Sequence, residues 1–161
     1  MSTIPASLRR LVIQRASDRC EYCSLSQAGQ AATFHIDHIV PVVASGPTTV
    51  DNLALACVSC SLRKAARQTV EDPETGEIVP IFNPRQQSWK EHFRWDDVRI
   101  VGLTATGRAT INALNMNRAI MLAIRAEEEI LGRHPPPWIW FDAIARANNT
   151  ATNIFSVSFL G

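Results

Sequence analysis

Nowhere does the chain offer the roughly 20 consecutive apolar residues that a bilayer-spanning helix needs. The run Trp138-Ile139-Trp140-Phe141 is apolar but short, and Asp142 and Arg146 follow it. The opening stretch MSTIPASLRRLVIQRAS lacks the continuous apolar centre of a signal peptide. No membrane partner is therefore expected, and a cytoplasmic setting is. Strong net charge is absent too: at +1 the molecule is not a polycation, so any nucleic-acid binding has to come from a local basic face. No internal repeat and no low-complexity tract interrupts the sequence. Nor is any cysteine left over once two pairs have been counted.

Those pairs are the most informative feature present. The four cysteines fall as Cys20/Cys23 and Cys57/Cys60, each a Cys-x-x-Cys. Thiolates two residues apart grip one side of a tetrahedral ion, and two such pairs close the shell. In a reducing compartment this pattern favours structural Zn²⁺ over disulfides, with a redox dithiol as the alternative. The metal would staple the ends of a segment whose middle reads Phe34-His35-Ile36-Asp37-His38-Ile39-Val40-Pro41. A content of 46% hydrophobic and 19% charged residues argues for a folded chain, and 161 residues suit one domain, or a small domain with an appendage.

The sequence predicts a helix over 6–17, with Leu8, Leu11, Val12 and Ala16 on one face and Pro5 near its start. A knuckle-like turn at Cys20–Cys23 leads through a polar loop to a strand over 34–43, ended by Pro41. Gly46 and Pro47 mark a loop, 52–55 a short second strand, and 61–68 a helix presenting Arg63, Lys64 and Arg67. Turn chemistry over 71–77 predicts a β-hairpin between Thr69-Val70 and Ile78-Val79. Beyond it a short helix over 88–95 carries Trp89, Phe93 and Trp95, a strand covers 98–103, and Thr104 caps a helix running to about Leu114. Asn117 is expected to cap a helix over 118–131 that Gly132 and the prolines stop. The aromatics are expected in the core rather than stacked on bases, and Glu127-Glu128-Glu129 facing solvent. His92 and His134 have no role legible in the sequence.

Hydrolysis of a phosphodiester needs a base to activate water and a cation to neutralise charge on the phosphate. An imidazole such as that of His38 accepts protons near neutrality. Asp37 offers the hard oxygen that suits Mg²⁺ or Mn²⁺. Neighbours on a regular strand point to opposite faces, so the two serve one site only where the strand ends or bends.

Taken together, Cys20-x2-Cys23, His35-x-Asp37-His38-x2-Pro41, Gly46, Asp51-Asn52-Leu53 and Cys57-x2-Cys60-x3-Lys64 resemble the HNH endonuclease family in its four-cysteine form. The resemblance covers roughly residues 8–68. The segments Asp72-Pro73-Glu74-Thr75-Gly76, Phe82-Asn83-Pro84-Arg85, Trp89-x2-His92-Phe93 and Gly102-Leu103-Thr104 resemble a continuation in a bacterial subgroup, to about residue 137. It implies an α+β fold: a ββα-metal core with structural zinc, then a β-hairpin and a helical C-terminal extension. The boundaries expected are 1–70 for the core, 71–137 for the extension, and 138–161 for a tail. The resemblance implies a metal-dependent endonuclease acting on DNA, most simply double-stranded, with His38 as general base and Asn52 bracing the loop. Asp37 would hold Mg²⁺ or Mn²⁺, while Cys20, Cys23, Cys57 and Cys60 would hold Zn²⁺.

One position departs from the pattern. The family's second ligand to the catalytic cation is an Asn or His immediately after the last zinc cysteine, and here Ser61 stands there. Three arrangements fit: Ser61 holds the cation directly or through water, His35 substitutes for it, or the site has decayed into a nucleic-acid-binding module without catalysis. Arg63 and Lys64 are expected to contact DNA phosphates, with Arg9, Arg10, Arg15 and Arg19 as candidates for the same basic face.

Overall fold

Pro5 fixes the backbone ahead of helix α1 (Ala6–Arg15), which ends where Ser17 and Asp18 take left-handed φ angles of 51° and 55°. The computed structural model describes residues 3–137, and the tail expected at 138–161 lies outside them. Val12 is the fully buried residue of α1, flanked by half-buried Leu8 and Ile13, while Leu11 faces out. Arg15 fastens the helix by donating to the carbonyls of Val50 (2.8 Å) and Leu53 (2.7 Å).

Strands β1 (His35–His38) and β2 (Leu53–Ala56) pair antiparallel with His35 opposite Ala56 and Asp37 opposite Ala54. Residues directly opposite share a face. Two alanines thus lie across from the two polar residues, leaving room above the sheet for helix α2 (Val58–Lys64), which packs on both strands. β1 is shorter than the strand expected over 34–43. Pro41 has no N–H to give to a ladder, and Val42–Ala44 forms a 3-10 turn closed by left-handed Ser45. α2 starts three residues earlier and stops sooner than the helix expected over 61–68, because Cys57 Sγ caps it and Ala65 turns to a positive φ.

The hairpin β3 (Thr69–Glu71) and β4 (Ile78–Pro80) forms as the turn residues predict, with Gly76 in the positive-φ position at its tip. Asp72 organises the turn. Its carboxylate is fully buried and accepts from Glu74 N (3.2 Å), Thr75 Oγ1 (2.9 Å) and, in a fork, Arg108 Nε (3.1 Å) and Nη2 (2.7 Å). Arg108 above all, helped by the turn hydrogen bonds, lowers the Asp72 pKa to about 2. A carboxyl depressed in the fold contributes stability above its unfolded pKa near 3.9 and loses it as pH falls through the folded value. Thermal melts should therefore fall between about pH 4 and pH 2, and Asp72→Asn should flatten that dependence. An unchanged acid slope in the variant would assign the loss to other carboxylates.

Helix α3 (Trp89–His92) is a single turn, and Phe93 and Trp95 belong instead to strand β5 (Phe93–Asp96), paired with β6 (Arg99–Gly102). The aromatics go inward as expected. Trp89 and Phe93 are buried, half-buried Trp95 stacks on Trp89 at 5.2 Å, and Trp89 Nε1 donates to the Tyr22 carbonyl. Thr104 caps helix α4 (Ala105–Leu114) through Gly107 N, 3.1 Å. Asn117 does not cap helix α5 (Ala119–Ile130); its side chain pairs with both backbone groups of Ile100, and Arg118 takes the cap position without a side-chain bond. Glu128 is buried rather than solvent-facing, because Arg133 grips it at 2.7 and 2.8 Å. His92 bonds Thr104, and His134 packs edge-on against Trp95. The cysteines, β2 and the aromatics of the extension belong to one hydrophobic cluster. No described helix is long and apolar enough to cross a membrane.

Candidate functional site

Each Cys-x-x-Cys closes on itself: Cys23 N points at Cys20 Sγ (3.5 Å) and Cys60 N at Cys57 Sγ (3.4 Å). The β1–β2 pairing then brings the two knuckles together. All four sulfurs lie within 4.8 Å of one another, are buried, and form the sole group of three or more Cys, His, Asp or Glu ligands among the described residues. Cys23 Sγ and Cys57 Sγ are 3.8 Å apart. That is far beyond a disulfide bond, and it equals the edge of roughly 3.8 Å expected for a tetrahedron with metal–sulfur bonds near 2.3 Å. The donor set therefore fits a metal ion. Burial pushes the Cys20 thiol up, whereas hydrogen bonds from its neighbours pull Cys23 down.

His35 and Asp37 share a face of β1, and Ser61 reaches them from the middle of α2. Ser61 Oγ donates to Asp37 Oδ1 at 2.9 Å and lies 2.8 Å from His35 Nδ1. A hydroxyl has one proton, so with that proton on Asp37 the imidazole Nδ1–H donates to Ser61. His35 is exposed and the other two are half-buried, so the three atoms form a line open to solvent. His38 is the last residue of β1 and belongs to the opposite parity. Its Nε2 is held 2.8 Å from Thr48 Oγ1, and no described hydrogen bond joins its ring to the Asp37–Ser61–His35 line.

The loop between the strands is latched by Asn52. Its Oδ1 accepts from Val40 N (2.9 Å), and its Nδ2 donates to the carbonyls of Val40 (3.0 Å) and Pro47 (2.9 Å). Gly46 lets the latch close, since a Cβ there would sit 1.8 Å from the Val40 carbonyl oxygen. Asn52 is itself buried, so Asn52→Ala leaves several loop groups without partners. An expected loss of about 1–3 kcal/mol follows, read as a lower melting temperature with fast amide exchange at Val40. A variant melting with the wild type would show that water replaces the latch.

Of the basic residues, Arg63 is exposed on α2. Lys64 is a correction: expected on the surface against phosphates, it is fully buried, and its Nζ donates to the His38 carbonyl at 3.1 Å. Burial lowers its pKa while the Asp37 charge opposes the shift. Arg9 and Arg10 are exposed, but Arg15 and Arg19 spend their guanidinium groups on backbone carbonyls, so the basic face is narrower than the sequence suggests. Thr48 and Arg125 were not singled out in the sequence. A threonine in a polar loop carries no local signal, and Arg125 on a helix reads as solvent-facing.

Residues 20–67 match the family model described as HNH endonuclease, and this segment holds all four cysteines, His35, Asp37, His38, Asn52 and Ser61. No curated protein and no solved structure matches the chain.

Proposed function

We propose that this domain hydrolyses DNA phosphodiester bonds, with His38 as general base and a Mg²⁺ or Mn²⁺ ion on the Asp37 face. The observation that carries this is the convergence of Asp37, Ser61 and His35 one residue from an imidazole that ends its strand. β1, β2 and α2 then constitute the ββα-metal core within residues 1–70, and residues 71–137 are its extension. When bound, the divalent ion supplies Lewis-acid neutralisation of the phosphate and the leaving oxygen.

The chain's own residues do the rest. Asp37 would contribute the anionic oxygen to the cation, and Ser61, whose hydroxyl bridges Asp37 and His35, would hold it as second ligand in place of the usual Asn or His. With Nε2–H given to Thr48, His38 keeps Nδ1 as the proton acceptor for water. Lys64, buried beneath the His38 carbonyl, fixes the end of the strand from behind. Asn52 holds the loop that carries Thr48. Arg63 contacts DNA phosphates, and cleavage leaves 5′-phosphate and 3′-hydroxyl ends. The four-cysteine centre holds Zn²⁺ as scaffold, because a closed thiolate shell has no open position for substrate.

The test is cleavage of supercoiled plasmid by the zinc-loaded protein with and without added Mg²⁺ or Mn²⁺. Nicked or linear product that depends on the added ion is expected. DNA retardation with no cleavage under either ion would instead favour a non-catalytic binding module.

A further inference from the structure

Arg125 is an anomaly of the extension. It projects from α5 into the core and is only 1% exposed, the largest fully buried side chain among the described residues. Its guanidinium donates to the carbonyls of Val98 (3.0 Å) and Met116 (2.7 Å) and to Asn117 Oδ1 (3.3 Å), and it lies 5.5 Å from the Trp95 ring centre. Every one of those partners is neutral. The carboxylate that lines the same cavity, Glu128, is engaged by Arg133. The Nε–H of Arg125 is buried with no partner. A cation taken out of water without an anion is costly, and natural cores pair such charges.

The missing anion lies across a small cavity. Arg125 and Cys23 line the same space, together with Glu128, Arg133 and His134. Burial lowers the Arg125 pKa, and charge on each of the four cysteines opposes that shift. Four thiolates around a divalent ion carry a net charge of minus two, and the cage is itself buried. Each buried charge thus answers the other.

We propose that Arg125 is the counter-cation of the metal tetrathiolate, a residue of the C-terminal extension that sets how tightly the nuclease domain holds its structural ion. Outer-sphere partners of this kind orient and stabilise ligands they do not replace. The extension and the metal centre therefore form one electrostatic unit. The proposal rests on the cysteines holding zinc, which is checked separately by the zinc content of the wild-type protein.

The experiment is zinc competition against a chromophoric chelator on the full chain, paired with the thiolate-to-metal charge-transfer band of the Co²⁺-substituted protein. For Arg125→Met we expect zinc affinity to fall about 10- to 100-fold. The charge-transfer band should move to longer wavelength, since sulfur lone pairs no longer stabilised by a cation give up an electron more readily. Arg125→Lys, which keeps the charge and loses the forked geometry, should bind zinc nearly as tightly as the wild type. Wild-type zinc affinity and an unmoved band in Arg125→Met would overturn the proposal. So would Arg125→Lys losing as much affinity as Arg125→Met, because the side chain would then act only by bracing carbonyls. Should Arg125→Met fail to fold, Arg125→Lys decides alone: an unmoved band with affinity near wild type supports the counter-cation, and loss of either refutes it.

Discussion

Cys57→Ser should cost the protein its fold and not merely one ligand. The segment between the first and last cysteine is held by strands of only four residues each and a helix of seven. Domains that small seldom bury enough surface to fold without a metal or cross-link. Structural zinc in comparable small sites contributes apparent binding energies of about 10–16 kcal/mol, as large as the 5–15 kcal/mol net stability of a typical domain. Cys57 has a second duty, because its sulfur accepts from Cys60 N and starts α2. A serine hydroxyl can keep that cap, so Cys57→Ser isolates the loss of the metal ligand. Elemental analysis of the wild type purified in reducing buffer should find one zinc per chain, and Cys57→Ser should lack it, lose its cooperative melt and fail to recover on adding zinc. A wild type without zinc would point to a redox dithiol, and a variant melting like the wild type would remove the metal from the account of stability.

What the sequence disclosed follows a physical division. Features fixed within a few residues were legible: the two cysteine knuckles, the Asp72–Gly76 turn, and the Thr104 cap. Features that depend on a partner far along the chain were not. Nothing near Lys64 announces that its ammonium ends under the His38 carbonyl 26 positions away. Asn117 has the profile of a cap, yet Ile100 offers it two backbone groups 17 residues back. The Glu127–Glu129 run looks solvated until Arg133 folds over its middle member. Trp95 falls within the helix expected over 88–95 but lies on a strand, because the chain turns to extended geometry at Phe93 and β6 supplies the pairing. At the site, the sequence placed His35 and Asp37 on one strand face correctly by parity. Ser61 was expected beside them from the family resemblance rather than from any local pattern, and it arrives there because α2 begins at Val58 and carries that hydroxyl over the alanine face of β2.

His38→Ala should abolish cleavage while leaving DNA binding and the zinc centre intact. Removing a positioned general base typically costs 10²- to 10⁴-fold in rate, so about 3–5 kcal/mol of transition-state stabilisation is at stake. The imidazole ring bonds Thr48 and bears on no cysteine contact, so melting temperature and zinc content should barely move. Cleavage by His38→Ala at the wild-type rate would sink the mechanism. Ser61 then separates the possible cation ligands. If its oxygen binds the ion, Ser61→Ala should raise the Mg²⁺ concentration needed for half-maximal cleavage, and Ser61→Asn, with a carbonyl oxygen of stronger dipole, should lower it. If His35 is the second ligand, Ser61→Ala leaves that requirement nearly unchanged, whereas His35→Ala raises it. Cleavage by Ser61→Asn alone, with an inert wild type, would make the chain a DNA-binding module one side chain away from catalysis. That outcome would have a structural basis: in the absence of an ion the Ser61 proton already sits on Asp37 Oδ1. An ion held by Asp37 Oδ1 together with Ser61 would compete with that bond, whereas one held through Oδ2 would leave it in place. Metal titrations of the wild type and Ser61→Ala therefore report whether the hydroxyl competes with the cation or helps to hold it.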